Sequence, residues 1–106
     1  MAELKITKNN FEAEVVRSEL PVLLDFWAPW CAPCRMLSPV VEQIAGEYEG
    51  KAKVGKVNVD EEQELAAAFG VSSIPMVVVV KAGKVQAASV GFQPKAQLAA
   101  MLEKEI

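Results

Sequence analysis

Residues 22–27, Val-Leu-Leu-Asp-Phe-Trp, are apolar on both faces of an extended strand, Asp25 excepted. A strand without a polar face has to be central in its sheet and covered by helices on both sides. The segment after it has a different period. Leu37, Val41, Ile44 and Tyr48, with Met36 and Val40 beside them, recur at helical spacing through residues 35–49 until Gly50 stops the run. Pro39 stands inside that stretch and removes one backbone donor, so a bend is expected there rather than an end. Residues 52–59 return to strand character. Strand, helix and strand in succession require parallel pairing with a crossover, the unit of an α/β fold.

The flanking segments extend this unit. Leu4-Lys5-Ile6 alternates as a short edge strand, and Asn9-Asn10 offers N-caps for a helix with Phe11, Val15 and Val16 inward, ended by Leu20-Pro21. Asp60, with Gln63 three residues on, is expected to cap a short helix running to Phe69 and closed by Gly70. Residues 76–80 and 85–90 read as an antiparallel hairpin through Lys81-Ala82-Gly83-Lys84, with Gly83 supplying a positive φ. Gly91-Phe92-Gln93-Pro94 opens a last helix with Pro94 in its first turn and Leu98, Met101 and Leu102 inward. No repeat or low-complexity linker divides the chain. Its 106 residues, 52% apolar, suffice for one buried core and not for two, so a single domain over residues 1–106 is expected. The fold class is α/β, a central mixed sheet of about five strands sandwiched by about four helices.

Charge and composition exclude several functions. Eleven basic residues against 14 acidic ones, a net −3 with the signs interspersed, leave no basic stripe for phosphate backbones, so nucleic acid is not an expected partner. The chain has no histidine, which removes Cys-His nucleophilic catalysis and imidazole zinc sites. Its two cysteines fall short of the four ligands of structural zinc or an iron–sulfur cluster, so no metal site is expected unless a dimer or an external thiol completes one. The apolar stretches are far shorter than a membrane span, and Met1-Ala2-Glu3-Leu4-Lys5 is not a basic region before an apolar core. The expected compartment is the cytoplasm, with no membrane partner.

Both cysteines lie in Trp27-Ala28-Pro29-Trp30-Cys31-Ala32-Pro33-Cys34-Arg35, between the central strand and the helix after it. A C-x-x-C pair beside a βαβ pattern reads as a redox pair, because a thiolate at a helix start is stabilised and a second thiol within reach closes a disulfide. Cys31, at the helix N-terminus, is the expected nucleophile. Cys34, one turn further in, suits the resolving role. The plainer alternative is a pair of buried cysteines packed as small hydrophobes. Asp25 is a carboxylate in a strand that should be dry; its proton affinity should rise, unless backbone hydrogen bonds satisfy it. Lys56 in the third strand would ordinarily extend to solvent. Pro75, just before the strand at 76, fits an ordinary strand-start proline.

These stretches together resemble the thioredoxin family over essentially the whole chain: D-F-W-A-x-W-C-x-P-C-R at 25–35, K-V-N-V-D at 56–60, S-I-P at 73–75 and V-G at 90–91. The resemblance implies the thioredoxin fold and a protein dithiol–disulfide oxidoreductase that reduces substrate disulfides. It implies no bound cofactor beyond the redox disulfide itself, a monomer, and an electron donor such as a flavin-dependent thioredoxin reductase. It places Asp25 beneath Cys34 as proton acceptor, pairs Lys56 with Asp25, and makes Pro75 a cis proline facing the cysteines. The backbone before Pro75 would then pair with an extended substrate. Trp30, Ile74, Gly91 and Phe92 would complete a shallow apolar docking surface, while Trp27 is assigned to the core. One position departs from the family pattern. Ala32-Pro33 stands where Gly-Pro is usual, and this dipeptide is where related oxidoreductases differ. A more oxidising thiol oxidase or isomerase, a redox-independent binding module and a metal- or cluster-bridged dimer therefore stay open.

Overall fold

The computed structural model describes residues 3–106; Met1 and Ala2, the first residues of the expected 1–106 domain, lie outside the described residues. In chain order the elements are β1 (Leu4–Lys5), a π-helical turn (Glu12–Val16), β2 (Val22–Trp27), α1 (Ala32–Glu47), β3 (Lys53–Asn58), α2 (Gln63–Ala68), β4 (Met76–Lys81), β5 (Lys84–Val90) and α3 (Lys95–Glu103). The sheet order is β1-β3-β2-β4-β5. β1, β3 and β2 run parallel, whereas β4 and β5 add antiparallel strands. The doubly apolar run is therefore the middle strand, buried from Val22 through Phe26 with Trp27 half-buried.

Alternation along β2 sends its side chains into two cores. Leu23 joins Leu37, Val41 and Ile44 of α1 and Leu98 and Leu102 of α3 on one face. Leu24 and Phe26 join Ile6, Val15, Val57 and Leu65 on the other. There the Phe69 ring lies 5.2 Å from that of Phe26 and 5.8 Å, edge-on, from that of Phe11. Removing one such wholly buried leucine side chain costs ~2–5 kcal/mol. Gly55 on β3 makes room for Ile6, since a Cβ there would stand 2.5 Å from Ile6 Cγ1.

Local departures from the sequence expectations have side-chain causes. Asn10 does not cap a helix; its Oδ1 accepts from Thr7 N at 2.8 Å and its Nδ2 donates to Lys5 O at 2.9 Å. With its amide spent on the preceding turn, the segment winds as one π turn that buries Val15 and leaves Val16 exposed. Asp60 is likewise not the cap before α2. Asn58 Oδ1 takes the N–H groups of Asp60 and Glu61 at 2.9 and 3.3 Å, and the Glu62 N-cap makes no side-chain cap bond. Pro94 is the N-cap of α3 rather than a residue of its first turn. The β4–β5 turn has positive φ at both Ala82 (53°) and Gly83 (76°), the conformation that matches the twist of a two-residue hairpin. α1 runs on through Pro39, as expected.

Candidate active site

The site is assembled where β2 hands over to α1. Cys31 is the N-cap of α1 in extended conformation, and its Sγ accepts the Cys34 N–H at 3.2 Å. Pro33 lies in the first turn, where a missing N–H costs no helical bond, so the proline stiffens the pair without weakening the helix. The two sulfurs are joined in a disulfide, with Cα atoms 5.2 Å apart. A sulfur at this cap faces unpaired N–H groups and the positive end of the helix dipole, which favour its thiolate once the bond is reduced. Exposure does not separate the two cysteines as an open Cys31 and a sheltered Cys34 would: Cys31 is 5% exposed and Cys34 3%. Both pack with Ala28, Trp27, Val59 and Ile74. What separates them is position, Cys31 at the outer end of the helix and Cys34 on its inward face among the buried residues of α1.

Opposite the cysteines runs the loop before β4. Its Ile74–Pro75 peptide bond is cis, and the Ile74 carbonyl oxygen lies 3.8 Å from Cys31 Sγ. Gly91, with φ of 89°, donates its N–H to Pro75 O at 2.8 Å, which ties the β5 end to the loop. Ile74 N–H has no backbone partner among the described residues. Trp30 is 67% exposed and Phe92 43%. The Trp30 indole donates to Asp60 Oδ2 at 2.9 Å, so the aspartate expected as a helix cap instead holds the tryptophan that precedes Cys31. Arg35 Nη1 donates to Pro29 O at 2.9 Å and pins the loop between β2 and Cys31. Ile74 thus stands against Cys31, Pro75 and Gly91 are tied together beside Ile74, and Trp30 directly precedes Cys31, while Phe92 follows Gly91 as an exposed ring. Sequence reasoning missed Asp60 and Arg35 as site residues, since their partners are brought to them only by folding.

Asp25 follows Leu23 by two residues and so faces the side of β2 that α1 covers, the side to which Cys34 also turns. It is 1% exposed, and neither carboxylate oxygen has a hydrogen-bond partner among the described residues. Burial pushes its pKa up to about 7; Lys56 pulls the other way and Glu3 adds to the rise. Backbone satisfaction of Asp25 is thereby excluded. Lys56 lies beside Asp25 in the sheet register, yet its ammonium goes elsewhere: it donates to Ser38 Oγ at 3.2 Å and sits 4.7 Å above the Trp27 ring. The Asp25–Lys56 relation is through space rather than a described ion pair. Trp27, assigned to the core, also borders the site by holding Lys56. Among the described residues no group of His, Cys, Asp and Glu is placed to hold a metal ion, and no helix is long and apolar enough to cross a membrane.

A family model described as Thioredoxin matches residues 2–104. The thioredoxin of Haemophilus influenzae is 50% identical over 97% of this chain and 96% of its own. "Thioredoxin 1" of a Nostoc species is 49% identical over 99% and 98%. The thioredoxin of Pyropia yezoensis is 48% identical over 100% and 99%.

Proposed function

The chain belongs to the thioredoxin family and is a thiol–disulfide oxidoreductase, and we propose that it works as a general reductant of protein disulfides with Cys31 as nucleophile and Cys34 as resolving thiol. In the dithiol state the Cys31 thiolate attacks one sulfur of a substrate disulfide, forms a mixed disulfide and expels the other substrate sulfur as a thiolate, which takes a proton from water. Asp25 accepts the Cys34 proton. The Cys34 thiolate then attacks Cys31 Sγ, closes the Cys31–Cys34 bond and expels the second substrate sulfur as a thiolate, which takes up the proton held by Asp25, two electrons having passed to the substrate.

The observation that carries this reading is the cysteine pair at the N-cap of α1, with Ile74, whose N–H has no backbone partner among the described residues, opposite. An extended substrate strand laid along that backbone would present its disulfide to Cys31, and backbone pairing asks little of substrate sequence. Trp30, Ile74, Gly91 and Phe92 supply apolar contact on either side, and Pro75 shapes the loop. Lys56 helps to set the proton affinity of Asp25. A flavin-dependent reductase of the thioredoxin reductase type returns the dithiol, no other cofactor takes part, and the protein acts as a monomeric single domain in the cytoplasm.

The test is reduction of insulin by the wild type, Cys31→Ser and Cys34→Ser with dithiothreitol as donor. Cys31→Ser abolishes turnover. Cys34→Ser, reduced beforehand and mixed with insulin after the dithiothreitol is removed, attacks once and accumulates a mixed disulfide, seen as a covalent adduct by mass spectrometry. Adducts through Cys34 in the Cys31→Ser variant would reverse the two roles, and undiminished turnover without Cys31 would leave a redox-independent binding module.

A further inference from the structure

The sheet face beneath α1 holds more carboxylate than the reaction uses. Lys56 is flanked in register by Asp25 on β2 and Lys5 on β1, and Glu3, just before β1, lines with Lys56 and Trp27 the cleft of about 350 Å³ at that edge. Lys5 turns to Glu61 at 3.6 Å. Among the described residues, Lys56 is therefore the one cation between Asp25 and Glu3. Glu3 Oε2 is shut off from water and has no hydrogen-bond partner among the described residues, although the residue as a whole is only half-buried.

We propose that Glu3 is a second carboxylate of the Asp25 site, a positioning residue that shares the field of Lys56 with Asp25 and so sets the pH at which Asp25 takes up its proton. The proposal rests on the reading of Asp25 as proton acceptor. The charges that act on Asp25 are Lys56, its register neighbour on β3, and Glu3 from the segment before β1; from α1, Glu42 acts on Glu3 and Cys34 turns to the same side, while the β4 neighbour, Val77, carries no charge. Two carboxylates about one ammonium cannot both be fully neutralised by it, so the charge of Glu3 raises the proton affinity of Asp25. Burial raises the pKa of Glu3, Lys56 lowers it and Glu42 raises it, the same kind of balance that acts on Asp25.

The experiment is carboxyl-carbon NMR titration of Asp25 in the oxidised full chain, with the wild type, Glu3→Gln and Glu3→Asp, beside pH profiles of kcat/KM for insulin reduction. Glu3→Gln lowers the Asp25 midpoint by a few tenths of a pH unit and moves the kinetic profile in the same direction; Glu3→Asp, which keeps the charge, stays close to the wild type. An unmoved midpoint in Glu3→Gln overturns the assignment, as does an equal shift in both variants, which would trace the effect to packing. A moved midpoint with an unmoved kinetic profile upholds the coupling of Glu3 to Asp25 and overturns instead the role of Asp25 as proton acceptor.

Discussion

Replacing Asp25 by Asn should stabilise the oxidised protein by an amount that grows with pH. The carboxyl has an ordinary value of 3.8 and is pushed up to about 7 in the fold, so between those limits the folded chain holds a proton that the unfolded chain has lost. The contribution of Asp25 to wild-type stability is therefore greatest below pH 4, falls as pH rises through that window and levels off above 7. At ~1.4 kcal/mol per pH unit the full span corresponds to about 4 kcal/mol. Asn does not ionise and escapes that loss, but a buried amide without partners costs about 1 kcal/mol on its own. The variant should thus be near parity or slightly less stable at pH 4 and about 3 kcal/mol more stable at pH 8. Urea unfolding of both oxidised proteins at pH 4, 6 and 8 measures this, provided that the m-values agree. Reduction of insulin near neutral pH should slow about tenfold, because an amide cannot take the Cys34 proton. The deficit should shrink above pH 9, where a thiol of ordinary pKa ionises unaided. A stability difference that is the same at all three pH values, or a less stable variant at pH 8, would refute the argument that Asp25 is buried at the expense of its charge.

Ala32 is exposed in the first turn of α1, so Ala32→Gly should leave the fold intact and move the redox potential by no more than about 20 mV, the equivalent of the ~1 kcal/mol Ala–Gly helix difference; equilibration with glutathione reads this directly. Gly55→Ala should destabilise the protein by ~1–3 kcal/mol, because its Cβ meets Ile6 Cγ1 at 2.5 Å; thermal unfolding should show a smaller loss from Gly55→Ala in an Ile6→Ala background, which no longer carries Cγ1. Trp30→Phe removes the 2.9 Å bond to Asp60 and should cost ~1 kcal/mol in stability, with a larger proportional loss in kcat/KM for insulin than for a small disulfide that needs no docking surface.

Elements whose signals are local were legible in the chain alone. A run apolar on both faces had to be the central strand, a helical stripe had to come next, and a C-x-x-C pair at that junction had to open the helix; β2, α1 and Cys31 stand where periodicity and caps put them. The burial of Asp25 in an apolar strand could be read for the same reason. Misreadings arose where a short polar side chain had a choice of partners. Asn10 and Asp60 both look like helix caps, and folding decides that Asn10 locks a turn and Asp60 receives Trp30 from across the site, while Asn58 takes the N–H groups of the turn before α2. Tertiary packing brought Ile74 against Cys31, 43 residues away in the chain, and turned the Lys56 ammonium toward Ser38 and Trp27 rather than into an ion pair with Asp25. It also set Glu3 in one cleft with Lys56 and Trp27, a residue that a linear reading leaves as an N-terminal charge. Periodicity and helix ends depend on neighbours within a turn or two, whereas the charge on a buried carboxylate depends on every group that the folded chain packs around it.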